Sequence, residues 1–199
     1  MVYVTVSLQK GQKVDLTKNN PGISRIMVGL GWDPVEQRGG LFGKRRPDID
    51  CDASVIMLNE NSKIINNENV IYYGNLKYKN GSVQHMGDNL TGAGDGDDEQ
   101  ILIELNKIPS DIQRLVFVVN IYDCKARKQN FGMVQNAFIR IVDDNKNQEI
   151  IRYNLTEQYA GKTALTVGEV YRYQGEWKFA AIGEGTNEIS LGEIVQRYV

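Results

Sequence analysis

The chain contains a single histidine, His85, and no Cys-x-x-Cys pair. No Ser/His/Asp or Cys/His arrangement is proposed around that one imidazole, and the zinc sets built from cysteine and histidine lack their ligands. The two cysteines, Cys51 and Cys124, stand far apart and both fall in expected strands. They read as buried free thiols in a reducing cytosol rather than as a disulfide. No run of eighteen apolar residues is present, which excludes a hydrophobic helical span. Met1 leads directly into Val-Tyr-Val-Thr-Val without a basic n-region, so the expected location is cytoplasmic. Basic residues do not alternate with aromatics as in nucleic-acid readers, and no nucleic-acid partner is expected. At 199 residues, 41% hydrophobic and 24% charged, the chain suits one full-sized globular domain spanning 1–199.

Charge is present, but unevenly. The formal net charge is −2, yet Gly87 to Glu99 alone carries Asp88, Asp95, Asp97, Asp98 and Glu99. Outside that stretch, 20 acidic residues face 23 basic ones. The same thirteen residues hold four glycines, which let a backbone adopt positive φ. Crowded carboxylates repel one another unless a cation sits among them. Oxygen donors on a glycine-rich loop suit a hard ion, so the first expectation is Ca²⁺.

The rest of the chain reads as strands. Val2, Val4, Val6 and Leu8 alternate with Tyr3, Thr5 and Ser7, the period of a half-buried strand. Val14 to Leu16 is a short second strand. Ile26, Val28, Leu30 and Trp32 share one face of a third, while Gly29 and Gly31 on its other face predict a close approach to the backbone. Asp48, Asp50 and Asp52 line one face of a strand whose other face carries Ile49, Cys51 and Ala53. Ile64-Ile65, Val70 to Tyr73, Val83 to Met86 and Ile101 to Leu105 continue the pattern, with Asn80-Gly81 as a hairpin turn. Leu115 to Tyr122 is apolar enough to be buried on both faces, and Phe138 to Val142, Ile150 to Leu155, Gly168 to Tyr173 and Trp177 to Ile182 complete the set. Lys125 to Asn136 is open between a short helix and a loop. Ser190 to Tyr198 reads as a capped amphipathic helix, with Ser190 and Glu193 at capping-box spacing. The expected fold is all-β, a single-domain β-sandwich with short peripheral helices, including a C-terminal one.

Several known loops do not fit the acidic stretch. An EF-hand begun at Asp95 meets Gln100 where glycine is required, and one begun at Asp88 meets Leu90 at an acidic position. A β-helix calcium repeat needs tandem copies. A phosphate loop would be repelled by acids after its glycines. The candidate metal ligands are therefore Asp88, Asn89, Thr91, Gly94, Asp95, Asp97, Asp98 and Glu99, joined by Asp50 and Asp52. Seven carboxylates against the charge of two Ca²⁺ balance better than against one, so two ions are expected. The polar segment Asp33 to Pro47 carries Lys44-Arg45-Arg46, either a solvated loop or a basic lip that contacts an anionic partner. Two alternatives stay open: a metal-dependent hydrolase using the acidic cluster, and a calcium-dependent module at a membrane surface.

These residues resemble the TerD family of tellurium-resistance proteins, of the bacterial stress-response type. The resemblance rests on Val28-Gly29-Leu30-Gly31-Trp32, Asp50-x-Asp52-Ala53-Ser54, the whole of Gly87 to Glu99, Gln129-x-Phe131-Gly132, Ala137-Phe138-Ile139-Arg140 and Gly175-Glu176-Trp177-Lys178-Phe179. It covers nearly the whole chain. The segment Gly39 to Pro47 departs from it, being longer and more basic. The resemblance implies a β-sandwich that binds calcium through the acidic motif and has no enzymatic activity. It also implies a role in resistance to tellurite and other stresses. The implied partners are other tellurium-resistance or stress proteins in a complex at the inner face of the cytoplasmic membrane, with no small-molecule substrate.

Overall fold

The computed structural model describes residues 5–34, 49–87, 96–155, 157 and 159–199. Alternation of apolar and polar residues, with turns at Gly and Asn, builds twelve strands among them. These are β1 (Val6–Leu8), β2 (Lys13–Asp15), β3 (Arg25–Pro34), β4 (Cys51–Leu58), β5 (Val70–Ile71) and β6 (Val83–His85). They continue with β7 (Glu99–Glu104), β8 (Arg114–Ile121), β9 (Val134–Asp143), β10 (Gln148–Asn154), β11 (Ala164–Tyr173) and β12 (Glu176–Thr186).

The strands form two six-stranded sheets, ordered β1-β10-β9-β3-β7-β6 and β2-β12-β11-β8-β4-β5. All pairings are antiparallel except β1 with β10. One core lies between them. The first sheet sends in Ile26, Val28, Leu30 and Trp32; the second sends in Cys51, Ala53, Val55 and Met57. Burying one apolar face of each sheet against the other is the main favourable contribution to a sandwich. The all-β sandwich expectation holds.

The central strand β8 is buried on both faces because its outer residues also find cover. Val116 and Val118, with Ile56 and Leu58 of β4 and Ala164 of β11, pack under Ile194 of a C-terminal helix, α2 (Leu191–Gln196). Ser190 caps that helix through Glu193 N–H, while the Glu193 carboxylate accepts the Ile189 N–H, one residue earlier than a strict capping box. The open stretch 125–136 resolves into one turn of helix, α1 (Cys124–Arg127), and a 3₁₀ turn at Phe131–Met133. Cys124 thus lies in a helix, not a strand, though both cysteines are free and buried as expected.

Two further expectations change. Ile64-Ile65 forms no strand; Ile64 N–H donates instead to Tyr198 O, and Ile65 is exposed. Val6 is 41% exposed beside buried Leu8, because β1 is an edge strand. The hairpin at Asn80-Gly81 is present: Gly81 has φ +72° and donates to Tyr78 O, and Tyr78 N–H meets Val83 O. Among the described residues, no helix is long and apolar enough to cross a membrane.

Candidate metal centre

The carboxylates of Asp97, Asp98 and Glu99 go to three different places. Gly29 of β3 lies between Gln100 of β7 and Arg140 of β9 in the register of the first sheet. Its neighbours Val28 and Leu30 point into the core, so Gly29 faces outward and leaves a notch. The Asp97 carboxylate fills it. A Cβ on Gly29 would stand 2.3 Å from Asp97 Cγ and from both of its oxygens. Arg140 Nε donates to Asp97 Oδ1 at 2.7 Å and Arg140 Nη2 to Oδ2 at 2.9 Å, a two-pronged pair. Gln100 Nε2 donates to Oδ2 from the other side at 3.1 Å. The Asp97 side chain is fully buried, and Arg140 also reaches Glu149 at 3.2 Å. The close approach expected at Gly29 is thus a carboxylate.

Asp98 turns back onto β3. Its N–H donates to Leu30 O at 2.8 Å, and its Oδ2 accepts the Trp32 N–H at 2.7 Å. Burial raises its carboxyl above the usual aspartate range; the Trp32 N–H opposes that, and the neighbouring charges of Asp33 and Asp97 add to it.

Glu99 opens β7 and points inward between the sheets, where it is 2% exposed. Its Oε2 accepts Ala53 N–H of β4 at 3.0 Å and lies 3.0 Å from His85 Nε2. His85 Nδ1 accepts Gly87 N–H at 3.2 Å, which places the ring proton on Nε2, directed at Glu99 and at Ala53 O, 3.2 Å away. His85 is a strand residue, as read from the sequence, but it also ties Glu99 down.

Asp50 and Asp52 flank Cys51, whose thiol faces the core. Asp52 therefore faces out from the second sheet, opposite Asn120 of β8, whose Nδ2 reaches its Oδ2 at a long 3.4 Å. Asp50 Oδ2 stands 3.6 Å from Arg127 Nη1. Burial pushes the Cys51 thiol well up, and the charges of Asp52, Asp50, Glu99 and Asp98 push it further. Four carboxylates are thus within electrostatic reach of one thiol, at one end of the sandwich. Even so, among the described residues no group of three or more His, Cys, Asp or Glu side chains is gathered to hold a metal. Asp88, Asn89, Thr91, Gly94 and Asp95, and the basic Lys44, Arg45 and Arg46, lie outside the described residues. Sequence reasoning did not single out Arg140, Gln100 or His85 as supports of the acids. The signal available was Gly29, whose bare outer face required an occupant.

The family model for the TerD domain matches residues 4–198. The stress response protein SCP2 of Bacillus subtilis is 59% identical over 200 residues, covering 98% of this chain and 100% of the relative. The tellurium resistance protein TerD of Serratia marcescens is 46% identical over 182 residues, covering 92% of this chain and 91% of its own. A crystal structure of a telluride resistance protein (TerD) homologue from Streptomyces coelicolor superposes with a TM-score of 0.67 at 20% identity, over 89% of this chain and 99% of that one. At that identity the match speaks for the fold. With the sandwich and the acidic stretch in place, these matches identify the family: the chain belongs to the TerD domain family.

Proposed function

We propose that this protein is a cytoplasmic, non-catalytic calcium-binding module of the tellurium-resistance and stress-response type. The observation that carries the reading is the crowding of five carboxylates into thirteen residues, with Asp98 and Glu99 at their end fixed by the Trp32 and Ala53 N–H groups. A cation among them relieves the like-charge repulsion, and the donors in the segment are oxygens, which Ca²⁺ prefers. The relatives named for stress response and tellurium resistance supply the biological setting.

The proposed ligands are Asp98 and Glu99 with Asp88, Asn89, Thr91, Gly94 and Asp95 of the same segment. Asp50, Asp52 and Asp97 complete the acidic surround, and two ions are proposed on charge balance. Calcium supplies charge neutralisation and a rigid bridge between loop oxygens. The chain's own residues set the platform: Asp98 is held by Trp32 N–H, and Glu99 by Ala53 N–H and His85. The non-catalytic reading is supported by the one histidine, which is buried with both ring nitrogens engaged. Lys44, Arg45 and Arg46 are the proposed contact with partner stress proteins, in a complex at the inner face of the cytoplasmic membrane.

Calcium that binds only the folded state stabilises it by about 2.7 kcal/mol at a hundredfold excess over Kd. The melting temperature is expected to rise with calcium and return with chelator, and calorimetry to give two ions per chain. An identical melting curve under both conditions refutes the calcium reading, and saturation at one ion refutes the stoichiometry.

A further inference from the structure

A cleft of about 290 Å³ opens on the outer face of the second sheet, beside the start of α2. Its floor is polar where the neighbouring outward positions of β4 and β8, Ile56 and Val118, are apolar. Asp52 and Ser54 of β4 and Asn120 of β8 line it, each at least nine-tenths buried. Among the described residues, Ser54 Oγ and Asn120 Oδ1 have no hydrogen-bond partner. Two such atoms lining one cleft leave acceptor sites open to a ligand.

The chemistry of the lining narrows that ligand. Asp52 and Asp123 bring negative charge, and among the described residues no lysine, arginine or histidine lines the cleft, which disfavours an anion. Arg127 stands just outside, 3.9 Å from Asp123 and over the Tyr122 ring at 5.1 Å. Asn120 Oδ1 is an acceptor only, Asp52 is an acceptor when ionised, and Ser54 Oγ accepts as readily as it donates. Three acceptors match the three N–H donors of a primary ammonium. Tyr72, Tyr73, Tyr122 and Leu191 supply carbon surface for an alkyl chain, and tyrosine rings also attract cations. A bare divalent ion wants six to eight oxygens, a poor match to walls of rings and a leucine.

We propose that this cleft binds the primary ammonium of a small organic cation, with Asp52, Ser54 and Asn120 accepting its protons and the tyrosines flanking its alkyl chain. Such a group comes from a free alkylamine or diamine, or from a lysine side chain. The inference does not rest on calcium binding; it gives Asp52 to this cleft rather than to the acidic surround of the ions, and calcium competes with the amine only if Asp52 serves the metal.

Titration calorimetry with n-butylammonium, putrescine, N-acetyl-lysine methylamide and neutral n-butanol, in chelator and in calcium, tests it. The amines are expected to bind one per chain, and n-butanol not at all. Asp52→Asn is expected to weaken butylammonium about tenfold, the worth of one charged hydrogen bond. Tyr73→Ala, at a half-exposed rim position that leaves the core intact, is expected to weaken it several-fold. Preference for putrescine assigns a free diamine, and preference for the lysine derivative assigns a side chain; either supports the proposal. Butanol binding as tightly, unchanged binding in both variants, or no saturation by about 10 mM overturns it. Displacement of butylammonium by calcium also overturns it, by giving the cleft to the metal. Loss of amine binding with the calcium response intact rejects this inference and leaves the calcium reading standing.

Discussion

Gly29→Ala tests the packing on which the acidic segment is anchored. Gly29 lies outside the left-handed region, so alanine meets no backbone penalty there. The cost is steric: the new methyl would stand 2.3 Å from the Asp97 carboxylate. Asp97 cannot yield without losing Arg140 and Gln100, since both its oxygens are engaged and its side chain is buried. Breaking a buried ion pair costs about 3–5 kcal/mol. Here the lower end applies, because Arg140 is 27% exposed and keeps Glu149. Replacing glycine returns about 0.5–1 kcal/mol through the unfolded chain, leaving a net loss of about 2–3 kcal/mol. For a chain of this size that lowers the melting temperature by about 5–10 °C. Urea unfolding of Gly29→Ala, Asp97→Ala and the double variant separates this cause from a general strand effect. Once Asp97 is alanine the notch is empty, so the second substitution is expected to cost almost nothing. Additive losses, within about 0.5 kcal/mol, would refute the notch argument.

Asp98→Asn is expected to stabilise the protein in chelator and destabilise it in calcium, read by melting temperature under the two conditions. The sign follows from the raised carboxyl. Without metal, the folded state holds the Asp98 proton more tightly than the unfolded chain, so its contribution is present at low pH. That contribution is lost as pH rises from the ordinary aspartate value through the raised one; asparagine removes this pH dependence. Glu99→Leu leaves Ala53 N–H without its carboxylate and His85 without its closer acceptor, and is expected to cost about 2–3 kcal/mol in urea unfolding. Glu99→Gln, which keeps an acceptor, is expected to cost clearly less; equal losses would refute the role given to that oxygen. Ser190→Ala removes the cap of α2 and is expected to cost about 1 kcal/mol, seen as a small fall in melting temperature.

The strands were legible because burying one face of a sheet imposes a period of two, which survives in Ile26, Val28, Leu30 and Trp32. Ile64-Ile65 was misread because two apolar residues carry no period; their neighbourhood is set by Tyr198 at the far end of the chain. Gly29 and Gly31 announced a close approach, but not its partners. Arg140, a lone cation in an alternating strand, looks like any solvated residue until the pairing Gly29↔Arg140 places it beside the notch. Ser54 and Asn120 were equally silent, since an unsatisfied buried hydroxyl or amide is a property of tertiary packing. Composition located the acids. Only register showed which are held by the fold.

That division bears on how a cation would be felt. Asp97, Asp98 and Glu99 are consecutive, yet one packs against the outside of the first sheet, one against the backbone of β3, and one crosses to β4 of the second sheet. The segment therefore ends in three anchors on two sheets. Trp32 donates its N–H to Asp98 and packs its ring in the core, 5% exposed. Charge neutralised at Asp98 acts on the strand carrying that indole, and through Glu99 on the joint between the sheets. A segment tied at only one point could bind an ion and leave the sandwich indifferent. Three anchors couple its charge state to the fold.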